Sequence, residues 1–139
     1  MARDKIHYIV VAALIKDEWE ITHDPLYISF DENEHDFEID LGAEKLIGAE
    51  KDNIKIAVEV KSFTKSVSHE FHGVLGQFID YQAALRENYD ENRTLYIAIP
   101  EEIYAKIVSI EFFNRRIKEH GLKFLTIDLI TQTITEWIT

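Results

Sequence analysis

The residues best placed to do chemistry form the run Ala57-Val58-Glu59-Val60-Lys61. In an extended strand, positions two apart share a face and lie about 7 Å from each other, so the Glu59 carboxylate and the Lys61 ammonium would sit side by side. Magnesium takes hard oxygen ligands, commonly one or two carboxylates completed by water and phosphate oxygens. Asp40, upstream on the preceding predicted strand, could supply the second carboxylate. Mg²⁺, or Mn²⁺, held by Asp40 and Glu59 would polarise a phosphodiester, with Lys61 orienting or deprotonating an attacking water and offsetting phosphate charge. Two close carboxylates without a metal repel, and one pKa should rise. Glu-x-Lys by itself is weak, since chance places it in about half of chains this long. The plain alternative is an edge-strand salt pair.

A second group lies on a predicted helix. Gln77 and Tyr81 are four apart and share a face, with Gly73 one turn earlier. Gly73 permits close backbone approach, and the other two can hydrogen-bond a phosphate or a bound water. The plain alternative makes Tyr81 a half-buried core residue and Gln77 solvent-facing. His69 and His72 open this helix without the i, i+4 spacing of a zinc pair. His7 and His23 are expected to be hydrogen-bonded structural residues, and His35 and His120 solvated.

Elements must position these groups. The apolar run Ile6–Ile15 behind Arg3 and Lys5 imitates a signal peptide but is followed by Lys16-Asp17-Glu18-Trp19 rather than by small residues. It is too short for a membrane span of about 20 residues, and a buried first helix over 4–17 is expected. Two short strands follow within Trp19–Phe30, broken at Pro25. The acidic stretch Asp31–Asp36 reads as a solvated turn, and a strand runs from Phe37 to Leu41 and on towards Ala49. Ile54, Ile56, Val58 and Val60 alternate with Lys55, Ala57, Glu59 and Lys61 in the strongest strand pattern of the chain. Ser68 is the expected N-cap of a helix to about Asn88, with Phe71, Val74, Leu75, Phe78, Gln82 and Leu85 on its core face. A strand over 93–99, one helix from Glu101 to Gly121, and strands over 122–128 and 133–138 complete the order. Such a mixed order specifies a sheet flanked by helices, an α/β sandwich.

Register decides which carboxylate meets Glu59. A tight turn at Asp52-Asn53 would set Lys51 opposite Ile54 and Glu44 opposite Lys61. Asp40 would then lie roughly 20 Å away along the strand. A wide loop over 48–53, or a bulge at Gly42 or Gly48, would instead bring Asp40 to Glu59. The sequence leaves both arrangements open, with Asp40 preferred.

At 139 residues and 46% hydrophobic content, one domain spanning 1–139 is expected, and disorder is excluded as the dominant state. No cysteine is present, which excludes disulfides, thiolate metal sites and cysteine nucleophiles. A cytoplasmic location follows as an expectation, making the sequon Asn92-Arg93-Thr94 irrelevant. Fifteen basic against 26 acidic residues leave a net charge of −11, which argues against a broad basic surface for nucleic acid. Contact with DNA would have to be local, metal-assisted or dependent on an assembly.

Asp40, Glu59-Val-Lys61 and Gln77-x-x-x-Tyr81 together resemble the PD-(D/E)xK nuclease signature with its glutamine–tyrosine helix motif, although Ile39 stands in the proline position. More narrowly, Ala13-Leu-Ile-Lys-Asp17, Trp19, Ile21-Thr-His-Asp-Pro25, Ile39-Asp-Leu-Gly-Ala-Glu-Lys-Leu-Ile47, Ile56-Ala-Val-Glu-Val-Lys-Ser-Phe63, Leu75-Gly-Gln-Phe78 and Ala83-Ala-Leu-Arg86 resemble the XisH family. These are the fdxN element excision controlling factors of filamentous cyanobacteria. The resemblance implies a restriction-endonuclease-like three-layer sandwich with a mixed sheet. It also implies a part in site-specific excision of a DNA element, beside a recombinase and a companion controlling factor. On that basis Asp40, Glu59, Lys61, Gln77 and Tyr81 are the candidate catalytic residues, with Asp40 and Glu59 as ligands of Mg²⁺ or Mn²⁺. A Mg²⁺-dependent endonuclease is one expectation. The other is a non-catalytic module acting through protein partners, with Trp137, Tyr8 or Tyr104 as surface anchors. A homodimer is compatible with either.

Overall fold

In a computed structural model, residues 5–29, 31, 36–47 and 52–139 are described. The chain runs α1 (Lys5–Lys16), β1 (Glu20–His23), β2 (Leu26–Ser29), β3 (Asp36–Ile39), β4 (Leu41–Ile47), β5 (Asp52–Val60), α2 (Val67–Asn88), β6 (Arg93–Pro100), α3 (Glu101–Ser109), α4 (Glu111–His120), β7 (Phe124–Asp128) and β8 (Thr133–Ile138). Six strands form one mixed sheet in the order β1-β4-β5-β6-β7-β8, while β2 and β3 pair separately. The β5–β6 and β6–β7 pairs are parallel, the others antiparallel.

Alternation along the central strands sends apolar side chains to both faces, so each face needs a cover. On one face, Leu41, Ala43, Ile56, Val58, Ala98, Leu125 and Ile127 pack against Ile6, Ile9, Val10, Ala13 and Leu14 of α1. On the other, Ala57, Leu95, Ile97, Ile99 and Phe124 pack against α2, α3, α4 and the β2–β3 hairpin. The result is a mixed α/β fold with helices on both sides of the sheet, as the element order implied.

The elements depart from expectation in four places. The predicted single helix from Glu101 breaks at Ile110, whose extended backbone (φ −90°, ψ 108°) separates α3 from α4. Helix α2 is capped by Ser66, not Ser68, and the Ser66 hydroxyl accepts the His69 N–H at 3.3 Å. Asp36, read as part of a solvated turn, pairs with Ser29 in the small sheet, while residues 32–35 lie outside the described residues. The strand expected to continue through residue 40 is interrupted at Asp40, where the chain passes from the small sheet into the large one. Among the described residues no helix is long and apolar enough to cross a membrane.

Candidate functional site

The hairpin of β4 and β5 resolves the question of register. Leu41 faces Val58, Ala43 faces Ile56 and Ile47 faces Asp52, so Asp52 and Asn53 are strand residues and not the turn. Residues 48–51 lie outside the described residues, and the ladder from Leu41 to Ile47 is uninterrupted, without a bulge at Gly42. One step beyond Leu41 brings Asp40 level with Glu59. Glu44 instead faces Lys55.

Two backbone contacts tie Asp40 to the end of β5. The Asp40 N–H donates to Glu59 Oε1 at 3.3 Å, and the Val60 N–H donates to Asp40 Oδ2 at 2.8 Å. Lys61 Nζ lies 3.3 Å from Glu59 Oε2. Lys61 is fixed through its backbone as well, since its N–H donates to the Ala98 carbonyl at 2.9 Å and extends the β5–β6 ladder by one residue. Glu59 is 6% exposed. Burial, and secondarily the Asp40 charge, push its carboxyl up to about 7, against the opposing pull of Lys61. The predicted rise of one pKa falls on Glu59, the more buried of the two.

Helix α2 completes the site. Gln77 Nε2 donates to Tyr81 Oη at 3.4 Å, and burial, followed by the Glu59 and Asp40 charges, raises the Tyr81 hydroxyl pKa. Gln77 is half-buried, not solvent-facing, and its Oε1 is buried without a hydrogen-bond partner among the described residues. Tyr81 also packs on Phe37, ring centroids 5.0 Å apart. Asp40, Glu59, Lys61, Gln77 and Tyr81 thus converge on the α2 side of the sheet.

Two carboxylates close enough to repel match the hard-oxygen preference of Mg²⁺ or Mn²⁺. Asp40 and Glu59 would hold such an ion, and water or phosphate oxygens would fill its other positions, because the described residues contain no group of three His, Cys, Asp or Glu side chains arranged for metal.

Glu44 belongs to a different cluster. It accepts from Asn53 Nδ2 at 3.2 Å and lies 3.5 Å from the buried Arg93, whose Nη1 donates to the Ile56 carbonyl at 2.8 Å. His23 closes this cluster through Tyr89 Oη at 3.1 Å, and burial and the Arg93 charge lower its pKa. His7 is buried and bonded to Asp24 Oδ1 at 3.0 Å. Both histidines are hydrogen-bonded, as expected.

Lys65 and His69 were not among the candidates, yet they line a cleft with Lys61, Glu70, Gly73, Val74 and Gln77. The signal for His69 lay in the four-residue step of Tyr81, Gln77 and Gly73, which lands on His69 one turn earlier. Of the aromatic anchors, Trp137 packs on Trp19 and Tyr96 and Tyr104 on Phe124, whereas Tyr8 is 61% exposed.

The XisH family, described as "XisH protein", matches residues 1–135. A crystal structure of an XisH family protein from Nostoc punctiforme is similar at 39% identity and TM-score 0.86, covering 98% of this chain and 100% of that one. The crystal structure of an fdxN element excision controlling factor protein from Anabaena variabilis is similar at 40% identity and TM-score 0.87, covering 99% and 100%. A search of the curated proteins finds no match.

Proposed function

The chain belongs to the XisH family, and from that membership and the geometry around Glu59 we propose that it is a controlling factor for excision of a DNA element, with a site that hydrolyses phosphodiesters. One observation carries the hydrolytic part: the Asp40 N–H donates to the Glu59 carboxylate while the Asp40 carboxylate accepts the neighbouring Val60 N–H, with the Lys61 ammonium 3.3 Å from Glu59. The antiparallel β4–β5 hairpin leading into α2, followed by parallel β6, supports a restriction-endonuclease-like classification of the fold. The Anabaena relative, named for control of fdxN element excision, supports the biological role. A cytoplasmic location and a companion factor and recombinase as partners belong to the same reading.

When bound, Mg²⁺ or Mn²⁺ supplies Lewis acidity at the phosphate and a more acidic water. Asp40 and Glu59 would be its ligands. Lys61 orients the attacking water and balances charge on the phosphate, and Gln77 and Tyr81 offer hydrogen bonds to phosphate oxygens. The test is cleavage of supercoiled and single-stranded DNA with Mg²⁺ or Mn²⁺, comparing the unaltered protein with Lys61→Ala. Cutting is expected from the first and a loss of at least a hundredfold from the second, within the range for positioned proton-transfer groups of about 10²–10⁴. Absent or equal cleavage removes the hydrolytic role.

The net charge of −11 favours a second reading, a non-catalytic module that reaches DNA only through protein partners. Co-purification with the companion factor, without DNA binding at moderate salt, would select it.

A further inference from the structure

The cleft beside Lys61 has a use that hydrolysis at Asp40 and Glu59 does not exhaust. It encloses about 270 Å³ between the segment after β5 and the first half of α2. That is below the roughly 300–1,000 Å³ typical of small-molecule sites. Its lining reverses the sign of the molecule: the ammonium groups of Lys61 and Lys65, with the His69 imidazole as a further hydrogen-bonding group, against the single carboxylate Glu70. Glu70 is already engaged, its Oε2 accepting the Lys65 backbone N–H at 3.0 Å. The side chains of Lys65 and His69 are exposed, and among the described residues neither has an ion-pair partner.

The floor of the cleft is bare. Gly73 lies between His69 and Gln77, and a Cβ added there would meet nothing within 4 Å. The N-terminus of the 22-residue α2 contributes its positive end to the same region. On a chain of net charge −11, a cationic cleft that shares Lys61 with the two carboxylates is the one place among the described cavities suited to a phosphate.

We infer that this cleft is a subsite for the phosphodiester adjoining the one at Asp40 and Glu59, held by Lys65 and His69 and admitted by the absence of a side chain at Gly73. The subsite rests on the hydrolytic reading above, and it explains how an acidic protein makes a local DNA contact. Phosphate contacts of this kind fix the register of a strand without reading its sequence.

The test is binding of a short fluorescein-labelled oligonucleotide, single-stranded and duplex, followed by anisotropy in Ca²⁺ between about 50 and 200 mM salt. Three proteins are compared: the unaltered chain, the double variant Lys65→Gln/His69→Gln, and Gly73→Leu. Both variants alter exposed positions, and an unchanged or higher Tm checks that each is folded. The double variant is expected to bind about tenfold more weakly, with a salt slope smaller by about 1. Gly73→Leu is expected to lose binding by occlusion, with all charges kept. If either variant binds like the unaltered chain, the subsite is wrong, and the Lys61→Ala cleavage result stands independently. If the unaltered chain binds neither form of DNA, direct contact fails, taking both the subsite and the hydrolytic role with it.

Discussion

Glu59 is a carboxylate that the fold keeps at a cost. Its pKa is raised from 4.5 in the unfolded reference to about 7, so between these values the folded chain holds a proton that the unfolded chain has released. A raised carboxyl pKa makes stability fall as pH rises through that window, the reverse of an ordinary salt-bridged acid. The cost above pH 7 is about 3 kcal/mol, from ~1.4 kcal/mol per pKa unit. Glu59→Gln keeps the shape without the charge, and is expected to be more stable than the unaltered protein at pH 8 and equal to it near pH 4.5. Urea denaturation at the two pH values measures this; equal stability at pH 8 would show that Lys61 already neutralises Glu59. The Glu-x-Lys spacing and the expectation that one of two close carboxylates is raised were legible in the sequence. Which acid carries the shift was not, because the burial of one side chain depends on how distant segments pack around it.

Elements set the distances on which that chemistry depends. Asp40 reaches Glu59 because β4 and β5 pair with Leu41 opposite Val58, and β4 is held on its other side by β1. The approach of β1 requires Gly42, where a Cβ would lie 2.8 Å from Leu26 Cδ1 and 2.9 Å from His23 Nδ1. Leu26 is fully buried and His23 is tied to Tyr89, so neither yields easily. Gly42→Ala is therefore expected to cost about 1–3 kcal/mol by overpacking, read as a lower urea midpoint with an unchanged slope. Ser66→Ala removes the cap that starts α2 beside the site and should cost about 1 kcal/mol in the same measurement. Alternation gave β5 away because its two faces differ residue by residue, and the periodicity of α2 likewise. The cap and the break at Ile110 escaped because each depends on where neighbouring segments dock. Ser66 and Ser68 are chemically equal, and Ile110 continues the apolar spacing of a longer helix. The hairpin register stayed open between two arrangements, with the observed one preferred, since Asp52-Asn53 is good turn chemistry that the longer β4–β5 ladder overrides.

At the scale of the whole molecule, a charge of −11 surrounds a pair of acids, and any cation stabilises such a protein by screening alone. A specific ion must be distinguished from that background. Screening depends on ionic strength and is indifferent to one buried carboxyl. Binding at Asp40 and Glu59 competes with the proton on Glu59, so it should strengthen as pH rises past about 7. Mg²⁺ is therefore expected to raise the Tm at pH 8 well beyond NaCl of equal ionic strength, and to add little over NaCl at pH 5.5. By mass action the excess reaches about 3 kcal/mol at a hundred times the dissociation constant, some 6–12 °C for a chain of this length. Glu59→Gln should abolish the excess while keeping the screening response, because the net charge changes by only one unit in eleven. If Mg²⁺ and NaCl act alike on the unaltered protein at pH 8, the two carboxylates hold no divalent cation. The proposed role in excision control would then have to work through protein partners.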